Sequence, residues 1–171
     1  MYRMRRRYLP PTRKRVKMIS IYDVSGSLVI NYKSREWCKI PYPGHSKGCP
    51  NYGMSKNCPP IVPRVEECFD LQKPHYFVVS TFDLGSHIKK MKSLHPNWSD
   101  SQARCVLYWQ NGVRKNLKES VYNNFGKDVF FTLLPEAMGV NVFSTLDKLG
   151  IKFERKPQET VTKVALVGEK I

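Results

Sequence analysis

The sequence predicts an α/β or α+β fold: a mixed sheet flanked by helices, carrying a long irregular loop rich in cysteine, proline and glycine. Three observations lead there. From residue 64 onward, short β-patterned runs alternate with helical patterns. Hydrophobic residues make up 41% of the 171-residue chain and aromatics 12%, enough to build a core without the help of a metal. Between residues 33 and 63 periodicity stops altogether, in a stretch holding three of the five cysteines. An unpatterned segment of that length inside a compact domain is usually functional. We therefore divide the chain into a basic N-terminal arm, 1–18, and a single α/β metal-binding domain, 19–171, with its cysteine loop at 36–63.

The elements follow in order. Residues 17–32 read as two strands around a tight turn at Ser25-Gly26-Ser27, with Ile19 and Ile21 before it and Leu28, Val29 and Ile30 after it. Pro63 opens a short helix near 64–72. HYFVVSTF, 75–82, is a buried strand. Residues 84–94 form a helix with Ile88, Met91 and Leu94 along one face. The longest helix spans 97–123, capped by Ser99 or Asp100. Its apolar stripe includes Val106, Tyr108, Trp109, Val113, Leu117 and Val121. A strand at 128–134 precedes a helix at 135–149 that Gly150 closes. Strands at 152–154 and 161–167 complete the sheet.

Charge points to a class of partner. The chain holds 29 Lys+Arg against 14 Asp+Glu, a formal net charge of +15. Such a field attracts polyanions, either RNA, DNA or an acidic protein. The arm concentrates it: Arg3, Arg5, Arg6, Arg7, Arg13, Lys14, Arg15 and Lys17 stand without an acid among them. They are the candidate nucleic-acid contacts, with Tyr2 and Tyr8 available to stack on bases. No apolar run approaches the ~20 residues of a membrane span, and no apolar segment follows the N-terminal charges as in a secretory signal. These features predict a cytoplasmic protein with no membrane partner, in which cysteines serve as thiols or metal ligands.

The loop reads Cys38-KIPYPGHSKG-Cys49-PNYGMSKN-Cys58-PP, with ten and then eight residues between cysteines. This is not the C-x2-C knuckle of a zinc finger. Pro50 and Pro59 directly follow cysteines, a context found among iron–sulfur ligands, while Lys39, Lys47 and Lys56 offset thiolate charge. Three thiolates suit a 4Fe-4S cubane with one iron left open, and equally a zinc ion completed by His45. Cys68, ten positions after Cys58, is taken as the fourth ligand, with His45 and Cys105 as alternatives. The pair Glu66-Glu67 reads as a solvated helix start.

The segment GHSKGCPNYGMSKNCPP resembles the signature of a family of small prokaryotic proteins described as metal-binding, the DUF2284 group, whose pattern is a Cys, then CPxYG, then CPP. The similarity continues through Tyr108-Trp109-Gln110, Gly112-Val113-Arg114-Lys115, the run from Pro135 to Phe143 (PEAMGVNVF) and Val164-Ala165-Leu166-Val167-Gly168. It leaves the arm outside. The resemblance implies Cys38, Cys49 and Cys58 as ligands. Family members often carry another Cys shortly before the Glu136-Ala137-Met138-Gly139 segment; here residues 130–135 read FFTLLP, without one. That departure favours three ligands plus Cys68, a non-cysteine donor or an open position.

No phosphate-cradling G-x4-G-K-[ST], no G-x-G-x-x-G after a strand and no H-E-x-x-H is present. No Ser/His spacing marks a triad, and no catalytic residue is identifiable. The expected function is an iron–sulfur protein with a redox or sulfur-transfer accessory role. Two alternatives stand beside it: a basic nucleic-acid-binding module with structural zinc, and an enzyme using an open cluster iron in RNA or cofactor thiolation or desulfuration.

Overall fold

The computed structural model describes residues 18–42 and 44–171. The eight cationic residues of the arm, from Arg3 to Lys17, lie outside them. Among the described residues four strands form one sheet: β1 (Ile19–Asp23), β2 (Tyr76–Asp83), β3 (Phe130–Thr132) and β4 (Thr160–Gly168), in the order β1-β2-β4-β3. All three pairings are antiparallel, with Ile21 opposite Val78, Val79 opposite Val164 and Phe131 opposite Val167. The helices are α1 (Leu84–Leu94), α2 (Asp100–Arg104), α3 (Gln110–Phe125) and α4 (Val142–Lys148). The α+β expectation is met, with helices on both faces of the sheet.

Strand alternation sorts the core into two layers. Phe77, Val79, Val164 and Leu166 face one side, against Val142 and Leu146 of α4 and against Val65, Phe69 and Met138 from irregular segments. Val78, Ala165 and Val167 face the other, against Leu117 and Val121 of α3. The stripe Val113, Leu117, Val121 is buried as the 3.6-residue period requires.

Several expected elements differ, each for a local reason. The turn at 25–27 is present, but no hairpin follows. β1 takes β2 as its partner, and the chain after the turn crosses to residues 139–141, where Asn31 N–H donates to Gly139 O and Asn141 N–H to Val29 O, both at 2.7 Å. Ile30 thus makes only an isolated bridge, to Val140. The segment after Pro63 shortens to a 3-10 turn, Val65–Glu67. The single helix expected over 97–123 is two. Ser99 does cap α2, accepting from Gln102 N–H at 3.2 Å. The backbone then leaves the helical region at Cys105 (φ −53°, ψ 127°), makes a 3-10 turn over Val106–Tyr108 and resumes as α3 at Gln110.

The helix expected over 135–149 is likewise divided. Glu136–Met138 is a 3-10 turn ended by Gly139 at φ +99°, and α4 follows. Only glycine suits that site, because a Cβ there would also lie 2.6 Å from the Tyr32 ring. On α1 the buried residues are Leu84, Gly85 and His87, while Leu94 is exposed. Residues 152–154 form no strand.

His75 is buried between Phe69 and Gly168. Burial holds its imidazole below the ordinary value of 6.5, against smaller opposing effects of the Lys73 backbone and Asp70. An unfolded chain binds a proton at this residue below that value while the folded one does not. Unfolding therefore gains ground as pH falls below about 6.5. The urea midpoint is expected to drop between about pH 7 and 5, and His75→Gln to flatten that dependence. An unchanged slope in the variant would assign the acid sensitivity elsewhere.

Candidate metal centre

The cysteine loop begins in a 3-10 helix, Tyr32–Lys39, that sequence patterning does not reveal. Asn31 caps it, accepting from Lys33 N–H at 3.1 Å. Its buried Ser34 donates to Glu136 O at 2.9 Å, and Trp37 packs against Phe143 with ring centroids 6.0 Å apart. These contacts dock the helix that carries Cys38 onto the end of the sheet.

From there the loop folds back on itself. Cys49 N–H donates to Cys38 O at 2.7 Å. The approach is possible because Gly48 holds φ +81°, and a Cβ on it would stand 2.6 Å from Cys38 O. Cys58 follows a turn in which its N–H donates to Ser55 O at 2.9 Å, while Ser55 Oγ and Cys58 Sγ are hydrogen-bonded at 3.2 Å. The Arg35 guanidinium fastens the segment beyond Cys58 through Pro60 O (2.9 Å) and Val62 O (2.7 Å). Lys39 pairs with Glu36 and stands over the Tyr52 ring, 4.8 Å from its centroid.

Electrostatics register the convergence. The Cys38 thiol is pushed up by burial first, then by the neighbouring Cys49 and Cys58, then by Glu136, with Lys163 opposing. The cost that Cys49 and Cys58 add to ionising Cys38 would be relieved by a cation placed beside it. The Tyr42 phenol is pushed up by burial, then by Cys49, Cys105 and Cys38, and its hydroxyl hydrogen-bonds Cys49. His45 stacks on Tyr42, centroids 4.6 Å apart, and its Nδ1 is buried without a hydrogen-bond partner.

Cys105, taken from sequence as a residue of a continuous helix, lies at the break between α2 and α3. A Cβ on Gly44 would stand 3.1 Å from its Sγ. Cys68 lies elsewhere. Its thiol is shifted by burial, Glu67 and Lys170, not by the loop cysteines, and its carbonyl accepts from Ile171 N–H at 3.1 Å. Phe69, buried in the main core and bridged to Lys170, anchors it there. Lys163, beside Cys38, and Lys170, beside Cys68, are seven residues apart, roughly 20 Å of extended chain. No described contact joins Cys68 to the loop cysteines, whereas His45 stacks on Tyr42 within the loop and Cys105 stands beside Gly44.

Two further residues escape sequence reasoning. Glu136 and Lys163 both act on Cys38. Burial drives the Glu136 carboxyl up and the Lys163 ammonium down, each toward its neutral form, and each field partly opposes the other's shift. The available signal was a lysine inside the otherwise apolar run of β4. Glu66, by contrast, is engaged away from the cysteines by the Tyr32 hydroxyl, and Glu67 accepts from Arg64 N–H at 2.5 Å as a helix start does.

Two clefts border the loop. The larger, about 670 Å³, is lined by Tyr32, Arg35, Tyr52, Pro59 and Arg64 among others and by no cysteine. The second, about 560 Å³, is lined by Tyr42, Gly44, His45, Ser46 and Ser101, on the side of Cys105. Among the described residues no three His, Cys, Asp or Glu side chains form a group that could hold a metal ion as they stand. A tetrahedral zinc site needs its sulfurs within roughly 4 Å of one another; a cubane spaces them more widely. Among the same residues no helix is long and apolar enough to cross a membrane. No family model, curated protein or solved structure matches the chain.

Proposed function

We propose that the chain binds an iron–sulfur cluster of the 4Fe-4S type through Cys38, Cys49 and Cys58 and serves as a redox or sulfur-transfer accessory protein. One observation carries the reading. Cys49 and Cys58 of the same loop both act on the Cys38 thiol, and Cys49 is fixed to Cys38 by a backbone hydrogen bond that depends on Gly48. The cysteine spacing, with ten and then eight residues between them, is not that of a zinc knuckle. The resemblance of the CPNYG…CPP segment to metal-binding proteins is consistent with it.

When bound, such a cluster supplies one-electron redox chemistry or an open iron. The chain's own groups do the rest. Tyr42 and Ser55 hydrogen-bond the sulfurs of Cys49 and Cys58, the kind of contact that tunes a cluster's potential. His45 and Cys105 border the fourth position. The second reading, an enzyme using an open iron in RNA or cofactor thiolation or desulfuration, is favoured by Glu136 and Lys163, which bring a proton-bearing pair next to Cys38.

Anaerobic purification tests the proposal. Brown protein containing iron and sulfide, with a paramagnetic signal on reduction, is expected; colourless protein with stoichiometric zinc would overturn it in favour of a structural zinc site. The fourth place has its own test. Cys68→Ser is expected to hold metal as the wild type does, and Cys105→Ser to lose it severalfold. The reverse pattern would return Cys68 to the site.

A further inference from the structure

A second feature lies away from the cysteines. His95, Trp98 and Tyr108 form a ladder: His95 and Trp98 stack with centroids 4.1 Å apart and planes 12° from parallel, and Tyr108 follows at 5.1 Å and 32°. The ladder belongs to neither core layer. Tyr108 is 54% exposed, Leu107 beside it 68% and Leu94 60%. Neither core layer therefore accounts for the stack of His95, Trp98 and Tyr108.

The segment that carries the ladder is strongly basic. From 84 to 118 the chain carries seven Lys and Arg and a single acid, Asp100. That acid is already paired with Lys92. Lys89, Lys90 and Lys115 are exposed. An exposed ring at the end of such a stack, here Tyr108, together with exposed lysines is the combination that binds unpaired bases and their phosphates.

We propose that this ladder is a docking surface for single-stranded nucleic acid, with bases stacking on the exposed Tyr108 ring, which Trp98 supports from beneath, and the α1 lysines meeting the backbone. A duplex hides the base faces that the rings would cover. An acidic peptide would answer the lysines and leave the rings unused, and a second copy of a chain with net charge +15 is repelled. The proposal does not depend on the metal.

The test is fluorescence anisotropy on the full chain with a labelled RNA strand of about 12 nucleotides, its duplex, and an acidic peptide of matched charge. The single strand is expected to bind best, to quench tryptophan emission, and to weaken steeply with salt. Trp98→Ala and Tyr108→Ala are each expected to weaken it by about tenfold, and Trp98→Phe by much less. Lys89→Glu with Lys90→Glu, exposed changes that spare the fold, are expected to weaken binding and flatten the salt dependence. Equal affinity for the duplex or the peptide, or wild-type affinity in folded Trp98→Ala and Tyr108→Ala proteins, would overturn the proposal. Neither result bears on whether the loop holds iron.

Discussion

Replacing Cys49 with serine is expected to abolish the proposed metal binding, with a loss of affinity of about 100-fold or more. Exchanging an outer-shell partner of a metal ligand typically costs 10–100-fold, and here a ligand itself is exchanged. Cys49 is the best single position because two independent contacts converge on it. Its N–H is held by Cys38 O, and its side chain is hydrogen-bonded by Tyr42. The variant keeps the backbone bond and alters the sulfur alone, so the fold should survive with its circular dichroism unchanged. Metal analysis after desalting, run beside the wild type and Cys68→Ser, reads the result. Wild-type iron in Cys49→Ser would remove the loop from the metal site and with it the proposed function.

Gly48→Ala should have the second largest effect, although it removes no donor atom. A side chain at φ +81° costs on the order of 1–3 kcal/mol in strain. Its Cβ would also press on backbone, with Cys38 O at 2.6 Å and Lys39 C at 2.7 Å. Backbone cannot swing aside as a long side chain can, so the Cys49–Cys38 hydrogen bond must open. We expect destabilisation of roughly 2–3 kcal/mol and loss of metal together. The loop can open locally before the sheet unfolds, so faster hydrogen exchange at the Cys49 amide is the more direct readout. Gly112→Ala is the matched control. Gly112 lies within α3 with nothing inside 4 Å of its added Cβ. There alanine is expected to raise stability by about 0.5–1 kcal/mol. If Gly48→Ala behaves like Gly112→Ala, the loop does not require the conformation described here.

The outcome for individual residues shows where sequence reasoning reached. Val113, Leu117 and Val121 lie on the buried stripe of α3, and HYFVVSTF became the central strand β2 with a shift of one residue. Ser99 and Gly150 mark helix ends as expected, with Gly150 N–H donating to Asp147 O at 3.0 Å. These are signals of short range: period, cap chemistry and turn chemistry act between neighbours in the chain. Ile19 and Ile21 were legible as a strand for the same reason, but their partner was not. β1 pairs with a strand more than fifty residues away rather than with the segment after its own turn. The breaks at Cys105 and Gly139 were missed because each answers a contact from outside the helix, Gly44 against the Cys105 sulfur and Tyr32 against Gly139.

The cysteine loop divides along the same line. By itself the sequence determined that an irregular segment with three cysteines, glycines and prolines interrupts an α+β domain of high positive charge. Its composition and spacing were enough to single out Cys38, Cys49 and Cys58. Only the tertiary structure decided what stands around them. It carried Cys68 away, because Phe69 is committed to the core and Cys68 O to the last residue of the chain. It brought Cys105 beside Gly44, and Glu136 and Lys163 toward Cys38. The physical reason is that ligand spacing along a chain is local, whereas the remaining partners of a loop are chosen by the packing of elements remote in sequence. Here those are the 3-10 helix that bears Cys38, the turn that bears Glu136 and the middle of β4.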